Sequence, residues 1–496
     1  MKTSTACLYA VLSGLFLCLA YPPFGFGFIA YTALVPMFYV LEFFRPRTVF
    51  LLAWLSGIFF LGVSLFWICF HADVTWPVML LVVVVLAFFY ALPFICASYI
   101  GKLSQHRVGL IVFPFSVAGI EWIRSFDQLA FPWMILGNSQ TCYPWLIQFA
   151  DITSAFGVSW WVALVNVSVF LLIKKKKSIV RWSFLALLFV VPFTYSWIVM
   201  HHSLDSGRKI TVALIQGNVT IEEKWGYDME FWNVNLYRTM SIEAMVYHPD
   251  LIVWPETATP VYLLESPTYR RMVHSLVDSI GVPVLTGFPS IDFDTEETWN
   301  SAGLFLPGMK EVKRYDKLHL VPFGETIPMD DFFPALKKID LGQANWSEGK
   351  ETVVFISPQL PPFNIAICFE SIFPDLIRKF IVKGSQFIVV ITNDVWFGPH
   401  ASPIQHAMIS VLRAIEFHRP VLRCANTGIT MIIDPYGRIM NKTGTFERTI
   451  LTGTITPVKE KTFFARSGNI FSLVSFLFPL TSLILYLFKR CTPVKG

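Results

Sequence analysis

The sequence predicts a polytopic α-helical membrane bundle of about eight spans joined to a soluble α/β domain. Three observations carry this expectation. The 496 residues are 54% hydrophobic and only 15% charged, with a mean hydropathy of +0.56. Soluble domains carry about 25% charged residues, so part of the chain needs lipid as its solvent. The deficit is uneven: residues 1–200 are nearly free of acids, while 205–466 has the composition of an ordinary globular domain. Within that later region short apolar runs alternate with helical stretches, the pattern of an α/β sheet with covered faces.

A helix needs about 20 apolar residues to cross a bilayer. Apolar stretches fit spans near 5–21, 25–43, 49–70, 77–100, 108–123, 156–173, 180–200 and 469–488. Only the tight turn Tyr21-Pro22-Pro23-Phe24-Gly25 separates the first two. The first span lacks a small-residue cleavage site and a second follows at once, so it does not read as a signal peptide. The expected domains are a seven-span bundle over 1–200, a catalytic domain over 201–468, and a closing span with its tail over 469–496.

Lysine and arginine in the short loops predict orientation. One set of loops holds Lys2, Arg45, Arg47, Lys102, Arg107, Lys174 to Lys177, Arg181, Lys489, Arg490 and Lys495. The alternate loops hold only Arg124. Both termini are therefore expected in the cytoplasm and the 201–468 domain on the opposite face, which in a bacterium is the periplasm. The net charge of +5 sits largely beside these spans and forms no basic stripe interleaved with aromatics, so nucleic-acid binding is not expected. The loop 124–155, rich in Phe, Trp and Met, fits either an interfacial segment lining a path for lipid or a packed cover over the bundle. Glu121, at a span end, reads as a group that orients a neighbouring loop.

In the soluble region, strand-like runs lie at 210–215, 250–254, 283–286, 302–306, 353–356, 363–368, 387–392, 421–424, 429–433 and 450–455. Helical stretches lie near 227–246, 266–280, 373–383 and 401–417. Three strand ends carry chemistry. After Leu251-Ile-Val-Trp-Pro, Glu256 leaves the regular sheet, since proline cannot donate to a ladder. With little competing charge it would have a raised pKa and suit a general base, although a helix cap or a surface acid fits the local sequence too. Lys317, in a stretch suited to burial, fits stabilisation of a thiolate or an oxyanion, or a snorkelling lysine. Glu325 fits a partner that orients Lys317 or holds a turn. Cys368 ends an apolar strand at a sharp turn before a helix, where a helix N-terminus or a cation would lower its pKa and make it a nucleophile. Cys424, also on a strand but without that turn, reads as an inert packing residue. The eight cysteines show no CxxC and no regular spacing, so neither a metal site nor a disulfide framework is expected, and no cofactor is implied.

Four segments in order resemble the carbon–nitrogen hydrolase (nitrilase) superfamily: Trp254-Pro255-Glu256, Asp316 to Glu325, Ile367-Cys368-Phe369-Glu370, and Thr392 to Gly398. With seven spans before the domain and one after it, essentially the whole chain resembles the apolipoprotein N-acyltransferase family. Gln216-Gly217-Asn218 with Lys224-Trp225, Phe131-Pro132-Trp133 and Gln405-His406-Ala407-Met408 fit the same resemblance. It implies an αββα sandwich with a Glu256–Lys317–Cys368 triad. Glu256 would be the base, Lys317 the oxyanion stabiliser and Cys368 the nucleophile. Glu325 and Glu370 would be supporting carboxylates around Lys317 and the thiol. Trp225, Phe369 and Trp396 would be substrate-contacting aromatics; Phe369 stands where some relatives have Tyr. The resemblance further implies a phospholipid acyl donor, a thioester on Cys368, and transfer to the α-amine of a diacylglyceryl-cysteine at a lipoprotein N-terminus. A membrane-anchored amidase acting on a small amide is the second reading; it would need only one span. A transporter with an accessory domain would call for paired intramembrane charges.

Overall fold

A computed structural model describes residues 1–70, 76–103, 106–175, 178–204, 207–328 and 346–491. The loop 71–75 and the basic residues Lys176, Lys177 and Lys495 of the sequence reading lie outside the described residues. The chain forms two compact units. One runs from the first helix to His202 and takes in the chain from Ser467 onward; the other is built from Ser203–Arg466.

The first unit is helical: α1 (Thr3–Leu19), α2 (Val35–Phe43), α3 (Pro46–Ser64), α4 (Trp76–Leu103), α5 (His106–Ile123), α6 (Ala150–Lys174) and α7 (Ile179–His201). The helix that closes the chain, Ile470–Cys491, packs against α4, α5 and α6. Among the described residues four helices, α3, α4, α6 and α7, are long and apolar enough to cross a membrane, and Thr3–Leu19, Gly27–Phe43 and Ile470–Leu485 are shorter apolar helices. The predicted second span, 25–43, is broken. It forms a 3-10 turn, Gly27–Tyr31, and the nine-residue α2. Asn166 on α6 fills the break: its Oδ1 accepts from Leu34 N (2.9 Å) and its Nδ2 donates to Ala30 O (2.7 Å). A backbone that leaves the helical ladder in an apolar setting needs such a partner.

The 124–155 loop is a packed cover over most of its length. Ala130, Trp133 to Leu136 and Asn138 to Thr141 are buried. Leu136 N donates to Glu121 Oε1 (2.7 Å), Gly137 N to Ser159 Oγ (2.8 Å), and Tyr21 OH to Ile135 O (2.9 Å). Glu121 thus orients the loop. Helices in this unit approach closely at small residues, as membrane helices do. A Cβ on Gly119 of α5 would lie 2.6 Å from Phe476 Cα of the closing helix.

The second unit holds two six-stranded sheets. Sheet I has the order β12-β1-β2-β3-β4-β5, from β1 (Ile210–Gln216), β2 (Leu251–Val253), β3 (Val284–Ile291), β4 (Thr298–Phe305), β5 (Lys313–Asp316) and β12 (Thr449–Ile455). Sheet II has the order β11-β10-β9-β8-β7-β6, from β6 (Val354–Phe355), β7 (Phe363–Ile367), β8 (Phe387–Thr392), β9 (Val421–Ala425), β10 (Met431–Ile433) and β11 (Ile439–Lys442). Strands β7, β8 and β9 run parallel, each buried along its full length, as covered parallel strands are. The core between the sheets is aliphatic and aromatic: Val212, Leu214, Val253 and Leu285 from sheet I meet Ile365, Ile367, Val389, Ile391 and Leu422 from sheet II. Helices α9 (Glu230–Ala244) and α10 (Pro267–Ile280) close a second core on sheet I, through Val234, Tyr237, Val273 and Leu276. Helices α11 (Pro374–Val382) and α12 (Ala401–Phe417) pack together, and α12 lies on β9 and β10. This is the expected αββα sandwich.

Replacing Gly119 by Ala should lower the thermal midpoint of the detergent-solubilised protein, since something must shift to admit the methyl, and overpacking costs about 1–3 kcal/mol. Gly62→Ala, where a Cβ meets nothing within 4 Å, should leave the midpoint unchanged or raise it.

Candidate active site

Glu256 lies three residues beyond β2, Lys317 directly after β5, and Cys368 directly after β7. The Trp254-Pro255 step ends β2, and Trp254 is fixed by a hydrogen bond to Ser241 Oγ (2.9 Å) and by stacking on Tyr237. Glu256 is buried. Its Oε1 accepts from Asn300 Nδ2 (2.8 Å) and its Oε2 from Asn393 N (2.7 Å). Both donors hold the carboxylate form. Burial pushes the carboxyl upward from its usual range, and the Lys317 ammonium pulls against that shift.

Lys317 is fully buried. Its Nζ pairs with both oxygens of Glu325 at 2.8 Å and lies 3.7 Å from Glu256 Oε1. Burial works against its charge, but the Glu325 and Glu256 carboxylates hold the ammonium above its ordinary range. Asn300 Nδ2 also reaches Glu325 Oε1 (3.3 Å), so one amide touches both carboxylates that flank the lysine.

Cys368 opens a 3-10 turn, Cys368–Ile372, with φ +52°, a left-handed conformation rare for a residue with a side chain. Such strain costs of order 1–3 kcal/mol and persists only where the surroundings impose it. Here the Cys368 carbonyl accepts from Ser371 Oγ (2.8 Å) and lies 3.1 Å from His406 Nε2. His406 Nδ1 sits 3.1 Å from Asp394 Oδ1, and Asp394 Oδ2 accepts from Arg423 Nη2 (2.9 Å). Burial alone would raise the Asp394 carboxyl, but Arg423 brings it below its ordinary value; burial and Arg423 together keep His406 neutral to lower pH than usual.

The thiol departs from the expectation of a lowered pKa. Burial pushes it up, Glu256 adds to the rise, and Lys317 and a hydrogen bond with Thr392 only partly offset them. The resting group is a thiol, and it needs a base. Cys424 sits on β9, fully buried, with its Sγ against Ile215 O (3.4 Å) and Val253 O (3.3 Å), as an inert packing group would.

Two family models match the chain: the apolipoprotein N-acyltransferase N-terminal domain over residues 13–168 and carbon-nitrogen hydrolase over 211–461. An apolipoprotein N-acyltransferase of Geobacter metallireducens is 34% identical over 484 residues, covering 94% of this chain and 92% of its own. That of Chlorobaculum tepidum is 33% identical over 495 residues, covering 92% and 91%. The chain belongs to the apolipoprotein N-acyltransferase family. Among solved structures, Saccharomyces cerevisiae Nit3, of the nitrilase superfamily, matches with a TM-score of 0.40 at 19% identity, covering 54% of this chain and 97% of its own.

In this member of the apolipoprotein N-acyltransferase family the two supporting carboxylates divide their work. Glu325 holds the lysine, and its Oε2 also accepts from Val321 N (2.9 Å). Glu370 is fully buried and is bonded to neither the Lys317 ammonium nor the thiol in the contacts it makes with backbone and tyrosine. Its Oε1 accepts from Tyr315 OH (2.7 Å), Leu318 N (2.6 Å) and His319 N (3.2 Å), and its Oε2 from Ile367 N (2.7 Å). It ties the segment bearing the lysine to the strand bearing the nucleophile.

The aromatics separate as well. Trp225, at the end of α8 (Ile221–Trp225), is 48% exposed, and Trp396 is partly exposed in the turn Asp394–Phe397. Phe369, expected to contact substrate, is only 3% exposed and packs on His319 and Phe373. Sequence reasoning gave no role to Asn300, Asn393, Asp394, His406 or Arg423. The readable signal was Arg423, a charged residue in the otherwise apolar strand Val421–Ala425.

Glu370→Ala orphans four donors, each worth about 1–3 kcal/mol when left buried and unpaired. It should lower the unfolding midpoint, as read by thermal melts in detergent, and so should Glu325→Ala, which leaves the buried Lys317 ammonium without its closest partner. A pH effect follows from His319, whose pKa burial and Lys317 depress to about 4 from the model-compound 6.5. The unfolded chain takes up that proton first, so stability should fall as pH drops from about 6.5 to about 4, and His319→Phe should flatten that fall.

Proposed function

We propose that this protein transfers an acyl chain from a phospholipid, through a thioester on Cys368, to the α-amine of the diacylglyceryl-cysteine of a lipoprotein. The observation that carries the reading is the buried Glu256–Lys317 pair, 3.7 Å apart, whose opposite charges both act on the Cys368 thiol, the carboxylate disfavouring and the ammonium favouring its ionisation. Membership of the apolipoprotein N-acyltransferase family and the four long apolar helices support the lipid substrates and a bacterial inner-membrane setting.

The steps follow from the residues. Glu256 takes the proton from Cys368 as sulfur attacks the ester carbonyl carbon. The Lys317 ammonium stabilises the oxyanion that develops. The C–O bond then breaks, and Glu256 returns the proton to the departing lysophospholipid oxygen. In the second half the neutral amine attacks the thioester carbonyl, Glu256 takes a proton from its nitrogen, the C–S bond breaks and the proton returns to the sulfur. One base serves both halves, and two lipids use one thiol in turn, which predicts ping-pong kinetics. A site reached from the membrane suits this chemistry, because drawing an acyl chain into water costs about 0.8 kcal/mol per CH₂. The exposure of Trp225 and Trp396 supports their reading as aromatics that contact substrate. The alternation of basic loops supports termini in the cytoplasm and a periplasmic domain.

Mass spectrometry of protein purified from its membrane tests the reading. An acyl adduct is expected on Cys368, absent in Cys368→Ala and retained in Cys424→Ala. Acylation of a diacylglyceryl-cysteine peptide by Cys368→Ala would sink the mechanism. Glu256→Gln and Lys317→Ala should each abolish the adduct while keeping the melting transition; a normal adduct yield in either removes that residue from the triad.

A further inference from the structure

Lys224 is a buried lysine that the chemistry above does not use. It lies on α8, a five-residue helix opened by a capping box between Thr220 and Glu223, next to half-exposed Trp225. Only 2% of Lys224 is exposed. Burying an ammonium costs several kcal/mol unless partners repay it, so its location calls for a reason. Its Nζ donates to the Glu256 carbonyl oxygen (3.3 Å) and to Thr257 Oγ1 (3.0 Å). Thr257 has φ +44°, a strained value for a β-branched residue. Gly287 presses on the same turn from β3: a Cβ there would lie 2.7 Å from Thr257 N and 2.8 Å from Glu256 Cα. The main chain of Glu256 is thus gripped by an ammonium and by a close backbone approach, while Asn300 and Asn393 fix its carboxylate.

We propose that Lys224 is a positioning residue for Glu256, pinning the strained turn that aims the carboxylate and linking it to the helix that presents Trp225. The proposal rests on the reading of Glu256 as the base for Cys368. It gives Trp225 a consequence as well: a substrate that moves the end of α8 also moves the grip on the base. Lys224 carries charge toward Glu256, which is faced also by Lys317 and Glu325 and by the thiol of Cys368, itself faced by Asp394. Burial brings the Lys224 ammonium down to about 7, with Glu256 opposing that fall.

The test uses the full chain in detergent, with Lys224→Met, Lys224→Arg, Thr257→Val and the Lys224→Met/Thr257→Val double variant. Thermal melts report folding. Two rates are followed across the range in which carboxylic acids and thiols titrate. One is alkylation of Cys368 by iodoacetamide, with Glu256→Gln as the reference lacking the base. The other is thioester formation with dipalmitoyl phosphatidylethanolamine. Lys224→Met should slow thioester formation about 100-fold, the cost of a misplaced catalytic group. It should also move the acid limb of both profiles to higher pH, because removing a cation that faces Glu256 favours the protonated carboxyl. Lys224→Arg, which keeps the charge, should leave the acid limb at its wild-type position. Lys224→Met and Thr257→Val should be strongly non-additive, because they break one contact. An acid limb unmoved in folded Lys224→Met, or effects of the two substitutions that simply multiply, overturns the proposal. If wild-type Cys368 is alkylated with a Glu256-dependent profile but forms no thioester, the acyl-transfer reading fails, and the alkylation profiles still decide the role of Lys224.

Discussion

The candidate site depends on the carboxylate of Glu370 and the donors it collects. Tyr315 comes from β5 in sheet I, Leu318 and His319 from the segment that follows it, and Ile367 from the end of β7 in sheet II. Two sheets packed face to face are held mainly by apolar contact, which does not fix their relative slide to the precision that a proton transfer needs. Charge-assisted hydrogen bonds to one carboxylate do. Lys317 lies between Tyr315 and Leu318, and Cys368 follows Ile367, so both reacting side chains inherit the position of that anchor.

Around it the buried charges are arranged in opposition. Lys317 sits between two carboxylates, and Asn300 donates to both of them. In the Arg423–Asp394–His406 group, His406 meets the Cys368 carbonyl oxygen and Asp394 faces the thiol. The first cluster therefore surrounds Lys317, and the second holds the backbone of Cys368 through His406. Buried ion pairs of this kind contribute little net stability, since desolvation offsets their attraction. Their value here is direction: each cation has its acceptors fixed, and Glu256 has one oxygen on Asn300 and the other on Asn393.

Much of this was legible in the sequence. β2 and β7 are short apolar runs that stop at Glu256 and Cys368, and the Asp316-Lys317-Leu318-His319 segment stood out by its composition. The alternation of strands and helices was readable for the same reason, while the αββα sandwich was implied by the family resemblance. β5, with the sequence Lys-Arg-Tyr-Asp, has no apolar pattern and is a strand because β4 offers it a pairing edge. β11 is an exposed edge strand of the same kind. Asn300 was missed because the apolar run read as β4 begins two residues after it, while the paired strand starts at Thr298. The interruption of the predicted span 25–43 was not legible, because hydropathy does not register a broken helix whose backbone is met by one asparagine from elsewhere in the chain. The packing of Phe369 on His319 and Phe373 was not legible, because sequence adjacency to Cys368 does not decide which way a ring packs.

The raised pKa of Cys368 has a consequence outside the transfer reaction. Oxidants and adventitious electrophiles react with thiolates, and their selectivity among cysteines follows thiolate character. A nucleophile that is ionised at rest would be exposed to such damage between turnovers, above all in an oxidising compartment. In the proposed mechanism the sulfur gains its reactivity as Glu256 accepts its proton. The idle sulfur is held in its less reactive, protonated form.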